Sequence, residues 1–503
     1  MRFFFPIPAF DGARVAFAFD GLAPVGLAPV GFVFASVGFA FASFVVGFAA
    51  GFAAAGFVAF AGASPFVAAS FAANGETYVG VIFMLVVVAI DLAPAPRRRA
   101  RASKVRRRHS RALDDAMAAA TARAIAKDLL GMSARALKSI VVDECGQPTY
   151  RAAQIREHLY GARRCRRIED FSLIPREMRD ALVAGGYRTG RLAVESASVS
   201  GCGTGKVSLR VGEREVIEAV GIPDASCWRA SAEAEVEVEN ASEVFKSVQG
   251  WDKNRLTACV SSQVGCAMKC TFCATGMQGY KRNLTPAEIT AQVIELEELY
   301  GKRVSQVVFM GMGEPMLNMK SVVQAIRCLN EDVGIGGRHI TVSTVGIPNS
   351  LKKLAKEKLA ITLAISLHAP DQYTREKIVP SAKYYPMEDL LDDARAYFKE
   401  TGRRVTFEYT LLAGVNDSPS QAKALSRMLK RKFGTGAHVN IIPWNNIDGV
   451  NHTRPSGNAI HRFCAQLDGG VTHTIRRTRG LDTNAACGML TGAFERRTLR
   501  ANA

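Results

Sequence analysis

From Leu256 onward the chain switches hydrophobic period at regular intervals. Apolar runs rich in Val, Ile and Phe occur at Leu256–Ser262, Val304–Gly311, His339–Gly346, Ala360–His368, Arg404–Leu412 and His438–Trp444, and read as strands. The segments Thr285–Gly301, Met319–Glu331, Asn349–Glu357, Met387–Gly402, Ser420–Phe433 and Gly457–Leu467 carry apolar residues three and four apart, and read as helices. The first helix marks its own start. Thr285 and Glu288 have capping-box spacing, and Pro286 takes the first helical position. Six strand–helix units in a row predict an α/β fold with a parallel sheet. A partial (β/α)6 barrel is the expected form, with a full barrel or a doubly wound sheet as alternatives. The polar motifs GMGEP, STVG, SLHA and PWN, and a cluster of cysteines, each sit just after a strand. Strand C-terminal ends are where barrels build their sites, which favours the barrel.

Ahead of this core, residues 253–495, the pattern divides in three. Residues 112–190 read as a small basic helical module: a helix–turn–helix over 113–146, then Thr149–Gly161 and Ile174–Gly186. Residues 191–252 hold an alternating segment, Lys206–Pro223, with Gly212 at the turn of a hairpin. The acidic stretch 224–252 reads as a surface insertion. Residues 1–110 differ from everything else. No charged residue occurs from Gly21 to Gly75, and a second apolar run, Val79–Ile90, precedes an arginine cluster at Arg97–Arg111. Length and polarity suit a membrane span, but Gly and Ala dilute the hydrophobicity and no period dominates. Three readings stand: an organelle-targeting presequence, a disordered low-complexity tail, and a misassigned gene start. The extension is therefore set aside from the fold.

Composition narrows the class. With 503 residues the chain can bury a large core without disulfides, and an odd count of 11 cysteines argues against a secreted, fully paired framework. A reducing compartment is expected, where clustered cysteines bind metal or react. The net charge of +18 points to an anionic partner, nucleic acid first, although the Arg97–Arg111 part of it reads as a targeting or solvated tail.

Four cysteines lie between Cys259 and Gly276. Cys266, Cys270 and Cys273 have the spacing C-x3-C-x2-C, and Cys259 stands seven residues earlier. Three thiolates are one short of a closed structural zinc site or a fully ligated iron–sulfur cube. A three-ligand cube leaves one iron open to a small molecule. Zinc remains the alternative and needs a fourth ligand.

The spacing, with Phe272 before the last cysteine, resembles the radical S-adenosylmethionine (SAM) superfamily. The longer string RLTACVSSQVGCAMKCTFCATG resembles the RlmN/Cfr group of RNA adenine methyltransferases, and GMGEPMLN, STVGIP, AISLHAP, IPWN and TRGLDTNAACG match that group in order. The resemblance runs from about Ala124 to Glu495, outside the N-terminal extension and the 224–252 stretch. It implies a radical-SAM barrel with a [4Fe–4S] cluster on Cys266, Cys270 and Cys273. SAM would contact Gly313, Glu314, Ser343, Ser366, Leu367, His368 and Asn445. It implies that Cys487 accepts a methyl group from one SAM and that a second SAM supplies a radical which activates that methyl group. The carbon radical then adds to C2 of adenine. The resemblance makes Cys259 the resolving thiol that would free the product through a disulfide with Cys487, and Glu218 a proton acceptor. The implied substrates are an adenosine of large-subunit ribosomal RNA and transfer RNA, bound in part by the helical module. C8 of the same adenosine is the alternative target, since the same residues serve both reactions. An external electron donor such as flavodoxin or ferredoxin, a monomer, and a cytoplasmic location complete the implied picture. A genuine presequence would change the location to plastid or mitochondrion. Lys281, Arg282, Arg476, Arg477 and Arg479 flank the motifs, and Arg151, Arg163, Arg164, Arg166 and Arg167 line the module. They read as RNA-phosphate contacts.

Overall fold

The computed structural model describes residues 67–73, 76–82, 127–213, 215–224, 234–236, 245, 255–467 and 471–492. The chain divides into two units, residues 1–100 and 101–503. In the first, Val67–Ala73 pairs antiparallel with Glu76–Ile82. The rest of the expected extension, the arginine cluster and the first expected helix up to residue 126 lie outside the described residues.

In the second unit one sheet has eleven described strands. In chain order they are β1 (Ala193–Val199), β2 (Gly205–Val211), β3 (Glu215–Pro223), β4 (Ala234–Val236), β5 (Leu256–Cys259), β6 (Val304–Phe309), β7 (Ile340–Thr344), β8 (Thr362–Ser366), β9 (Val405–Leu411), β10 (His438–Pro443) and β11 (Thr472–Ile475). Across the sheet the order is β11-β10-β9-β8-β7-β6-β5-β3-β2-β1-β4. Every neighbouring pair from β5 to β11 is parallel. The order never reverses, so there is no switch point of the kind a doubly wound sheet has. The two outermost strands, β11 and β4, do not pair, and the barrel is partial and open. All seven residues of β9 are buried, as a parallel strand covered on both faces must be.

Three features depart from the sequence pattern. β11 adds a seventh parallel strand after the last helix; it is only four residues long and mostly exposed. The expected hairpin is present as β2–β3, but it is not a separate element. β3 pairs antiparallel with β5 and carries the barrel sheet on through β2 to β1. The acidic stretch is not purely surface either. Ala234–Val236 pairs with β1, and Phe245 is buried edge-on against Tyr300.

The N-terminal module holds helices α1 (Ala134–Ser139), α2 (Arg151–Tyr160) and α3 (Arg176–Ala184). Lys127–Asp128, read from sequence as helix, instead pairs with Tyr187–Arg188. The module sits on α4 (Pro286–Tyr300), the first barrel helix. The expected capping box is formed: Glu288 N–H donates to Thr285 Oγ1 (3.1 Å), and Thr285 N–H donates to Glu288 Oε2 (2.9 Å). α4 is buried on nearly all sides, because its acidic outer face meets the arginines of the module and the following linker. Arg191 and Arg166 both reach Glu295 at 2.6 Å, and Arg164 reaches Glu297 at 2.5 Å. Arg191 and Glu295 are 2% and 1% exposed, and each has a second partner, Glu298 for Arg191 and Arg166 for Glu295, so neither buried charge depends on one ion pair.

Candidate active site

A cavity opens where the C-terminal ends of β6 to β10 face the loop after β5. It is lined by Cys266, Cys270 and Cys273, by Gly313, Glu314, Ser343, Ser366, His368 and Asn445, and by Cys487. Leu367 does not line it. Its side chain is fully buried in the core, and its N–H donates to the Glu408 carbonyl. Leu367 therefore offers no side-chain contact to a ligand there.

The cysteine loop is braced by a small hairpin the sequence pattern did not reveal, Gln263–Gly265 against Tyr280–Asn283. Cys266 N–H donates to the Gly279 carbonyl (2.8 Å), and Cys273 opens the short helix Ala274–Gln278. Burial pushes the Cys266 thiol up to about 12; it pushes Cys270 well above its usual value and raises Cys273. Cys270 feels both of its neighbours, Cys273 and Cys266, as further negative charge. Three such thiols deprotonate together only on a positively charged centre. Among the described residues, no three Cys, His, Asp or Glu side chains converge on one point suited to a single ion. A cube would take each thiolate on its own iron and leave one iron open, whereas a structural zinc would need a fourth ligand. Arg375 lies beneath them, 1% exposed, its guanidinium donating to the carbonyls of Val345 (2.6 Å), Leu367 (3.2 Å) and Ser366 (3.3 Å). Burial lowers its pKa to about 10, Cys270 opposes that, and its Nη1 has no hydrogen-bond partner among the described residues. A buried cation with a spare donor suits an anionic cluster above it.

The next strand ends carry groups for an amphiphilic ligand. Gly313 has φ 102°, and a Cβ there would stand 2.5 Å from Gln263 Cβ, so only glycine brings this backbone against the cysteine loop. Gln263 in turn accepts from Glu314 N–H at 2.8 Å. The Glu314 carboxylate is 2% exposed and accepts from Thr344 Oγ1 (2.6 Å), Val345 N–H (2.9 Å) and Met316 N–H (2.9 Å). Burial raises its pKa, and those three donors hold it down. Ser343 and Ser366 pair through their hydroxyls at 3.1 Å. His368 adopts φ 59°, with Asn416 donating to its carbonyl. Its Nδ1 accepts from Thr410 N–H at 3.0 Å. Burial, aided by Arg375, lowers its pKa to about 3, so the ring is neutral with its proton on Nε2. The ring packs edge-on to Phe272. Glu408, also on the cavity wall, has one carboxylate oxygen without a hydrogen-bond partner among the described residues. A carboxylate for an ammonium, hydroxyls, a neutral imidazole donor, a free acceptor and an aromatic edge together fit SAM.

Of the two outlying thiols, Cys487 lines the cavity and Cys259 does not, but Cys259 is buried near enough for its charge to interact with those of Cys487 and Arg476. Cys259 ends β5, and burial together with the Cys487 thiol pushes it up to about 12, while Arg476 and the Met310 N–H oppose that. Sequence reasoning read Arg476 as a phosphate contact. The structure instead places it on the cavity wall, where Cys487, Glu408 and Cys259 outweigh the desolvation of its guanidinium and keep its pKa above the usual value. Asn445 lies on the wall too, but its amide is committed to protein: Nδ2 donates to the Cys487 carbonyl (3.0 Å), and Oδ1 accepts from Arg454 (2.9 Å) and Thr478 (3.1 Å). Glu218 does not line the cavity. Its Oε2 accepts from Thr491 N–H (2.6 Å) and Gly492 N–H (3.0 Å), and its Oε1 faces Lys206 at 3.1 Å.

Most of the arginines read as RNA contacts have partners within the chain. Arg282 is paired with Glu215 and Glu288, Arg479 donates to the Pro223 carbonyl, and Arg164 and Arg166 hold α4. Arg151 donates to Gln154 and the Leu173 carbonyl, Arg163 to Ser172, and Arg167 lies near Glu169 and Asp170. Lys281 and Arg477 remain exposed.

Residues 260–422 match the radical SAM superfamily. The chain is 47% identical over 363 residues to a probable dual-specificity RNA methyltransferase RlmN of Thermosynechococcus vestitus, covering 72% of this chain and 97% of that protein. It is 46% identical to the Gloeobacter violaceus protein of the same name, over 72% and 94%. Its fold is similar to the crystal structure of a radical SAM methyltransferase from Sphaerobacter thermophilus, with a TM-score of 0.63 and 35% identity over 73% of this chain and 99% of that one. Relatives this similar over nearly their whole length, joined to a cavity that gathers the three-cysteine loop, place the chain in the RlmN-type family of radical SAM RNA methyltransferases.

Proposed function

We propose that the chain methylates C2 of an adenosine in large-subunit ribosomal RNA, and in transfer RNA, by way of an S-methyl group on Cys487 and with two SAM molecules per turnover. The observation that carries this reading is that Cys487, on the cavity of the three-cysteine loop, and Cys259, far from it in sequence, lie near enough to each other and to Arg476 for their charges to interact. A methyltransferase that passed its methyl group directly from SAM to a nucleophilic atom would have no use for such a pair.

Cys266, Cys270 and Cys273 would hold the cluster, and Glu314, Ser343, Ser366 and His368 would hold SAM. When bound, these groups supply the methyl group, the electron and the radical that activates the methyl carbon. The remaining work falls to the chain. Cys487, exposed on a tethered backbone, is the methyl acceptor and later the covalent tie to the base. Cys259 is buried and protonated at rest, so it stays out of the first transfer; thiolate, not thiol, is the nucleophile. Bond formation between the two sulfurs would break the bond from the Cys487 sulfur to the methylene carbon, which takes up a proton and leaves as the methyl group of the base; the resulting disulfide is reset by an external two-electron reductant. Arg476 is a fixed cation shared by both sulfurs as their charges change. The target adenine must be unstacked to enter, which a loop of RNA permits.

The test uses the full chain, reconstituted with its cluster under anaerobic conditions and supplied with SAM, reductant and protein-free large-subunit ribosomal RNA. The digested RNA is analysed by mass spectrometry. 2-Methyladenosine upholds the reading. 8-Methyladenosine transfers the protein to the C8 reaction. Release of 5′-deoxyadenosine without any methylated adenosine refutes the substrate. With Cys259→Ala, a covalent RNA–protein adduct is expected on a denaturing gel; normal turnover would remove the resolving role.

A further inference from the structure

We propose that the segment Gln372–Tyr384 is a stacking surface for unpaired bases of the RNA substrate, with Tyr373 and Tyr384 as the platforms and Lys377 and Lys383 as their phosphate contacts. The proposal rests on the RNA reading above and adds where the strand lies.

The segment connects β8 to the next long helix as a short helix, Gln372–Ile378, and a turn, Pro380–Tyr384. Tyr373 and Tyr384 are 71% and 69% exposed, the most exposed large hydrophobic side chains among the described residues. Two bare aromatic rings so close in sequence are a liability unless something covers them. Gln372 donates to the Ala382 carbonyl at 3.1 Å, which ties the helix that carries Tyr373 to the turn that carries Tyr384.

Each ring has a cation over one face, which leaves the other face to a base. Lys377 Nζ lies 4.1 Å from the Tyr373 ring centre, and Lys383 Nζ lies 4.9 Å from that of Tyr384. The acids of the segment are already engaged: Asp371 caps the helix through Thr374, and Glu376 accepts from Gln372. Aromatic faces flanked by ammonium groups are the chemistry that holds single-stranded nucleic acid, where bases stack on rings and phosphates meet the cations. A buried protein interface would favour aromatics without paired lysines, since lysine is depleted there.

Position ties the surface to the reaction. Thr271, between Cys270 and Cys273, donates its N–H to the Ile378 carbonyl at 2.9 Å. Ile378, Val379 and Ala382 pack in one apolar cluster with Met268, Phe272 and Trp444 of the cavity wall. The back of the segment is thus fixed to the cysteine loop while its front carries the two rings. An RNA loop with one base in the cavity has its neighbouring bases within reach of this edge.

The test compares the cluster-loaded full chain with Tyr373→Ala/Tyr384→Ala and Tyr373→Phe/Tyr384→Phe. Binding of a labelled single-stranded oligoribonucleotide is followed by fluorescence anisotropy, and methyladenosine formation on ribosomal RNA is followed in steady state. Removing the rings should raise Kd and the KM for RNA by about tenfold for each ring, with RNA-independent 5′-deoxyadenosine release unchanged. The Phe pair should bind like the parent, because stacking needs the ring and not the hydroxyl. Lys377→Gln/Lys383→Gln should flatten the salt dependence of binding by a slope of roughly 0.7 for each lysine. A Kd and KM within twofold of the parent for the Ala pair overturns the proposal, and leaves the methyltransferase reading intact if methyladenosine still forms. Ring-dependent RNA binding without any methylated adenosine upholds the surface and overturns that reading instead.

Discussion

Asn445→Asp separates two roles that one residue has been given. The family resemblance makes Asn445 a SAM contact, whereas the structure commits its amide to Cys487, Arg454 and Thr478. Aspartate keeps the acceptor for Arg454 and Thr478 and strengthens the first, because that bond becomes charge-assisted. What it removes is the donor to the Cys487 carbonyl, and it puts a carboxylate oxygen in its place. A net hydrogen bond is worth about 1 kcal/mol, and leaving the carbonyl facing an acceptor adds a further 1–3 kcal/mol, so roughly 2 kcal/mol is a conservative total. That shifts the population with Cys487 correctly held by about thirtyfold. The assay is a single turnover with SAM in the absence of RNA, with the methyl group on Cys487 measured by mass spectrometry of the peptide. Methylation should slow by about that factor, with the cluster absorbance unchanged and the KM for SAM within a few-fold of the parent. Normal methylation of Cys487 together with a large rise in KM for SAM would refute the anchoring role and restore the SAM contact.

Glu218→Gln should leave RNA methylation within about threefold of the parent, since glutamine still accepts from Thr491 and Gly492; a loss of 10²–10⁴-fold, the usual worth of a general base, would make Glu218 the proton acceptor instead. His368 gives a pH signature. Its folded pKa is about 3 against an ordinary 6.5, so below pH 6.5 the unfolded chain binds a proton that the folded chain refuses. Its contribution is complete above pH 6.5 and is lost as pH falls toward 3, by about 1.4 kcal/mol per unit. Urea unfolding should show the parent losing about 2 kcal/mol more than His368→Gln between pH 6.5 and 5.0; equal losses would mean that folded His368 takes up the proton.

The barrel was readable because its signals are local. Strand periodicity, the Thr285 capping box and the placement of motifs after strands all act within a few residues, and each is present in the fold. β11 and β1 escaped for different reasons: β11 is an edge strand of only four residues, and β1, one strand in from the other edge, is too exposed to show a clean alternation. Charge was the poorest guide. Arg476 and Arg477 are adjacent and chemically identical in sequence, yet one lines the cavity beside two thiols and the other is exposed. Arg375 gave no signal at all, because an arginine between Thr374 and Glu376 on a polar helix reads as solvated. The cysteine spacing could be read because three thiols close in sequence define a loop by themselves. Asn445 binding the Cys487 carbonyl joins two distant segments, and no local pattern encodes such a contact.

The path that carries Cys487 explains why so much of the site is backbone anchoring. Around Cys487 there is neither helix nor strand, so the segment has no ladder of its own to hold it. It is held by others: Gly488 carbonyl by Ala274 N–H (2.8 Å), Leu490 carbonyl by the Thr275 hydroxyl (2.6 Å), Cys487 carbonyl by Asn445, and Thr491 and Gly492 by Glu218. These anchors come from three separate parts of the fold, and every one grips the backbone. The Cys487 side chain is left exposed, as a thiol must be if it is to meet a methyl donor, a base and Cys259 in turn. Ala274 and Thr275 follow directly after Cys273. The segment that carries Cys487, the proposed methyl acceptor, is therefore fastened to the loop that carries Cys273, a proposed cluster ligand, and a shift in one is transmitted to the other through two short hydrogen bonds.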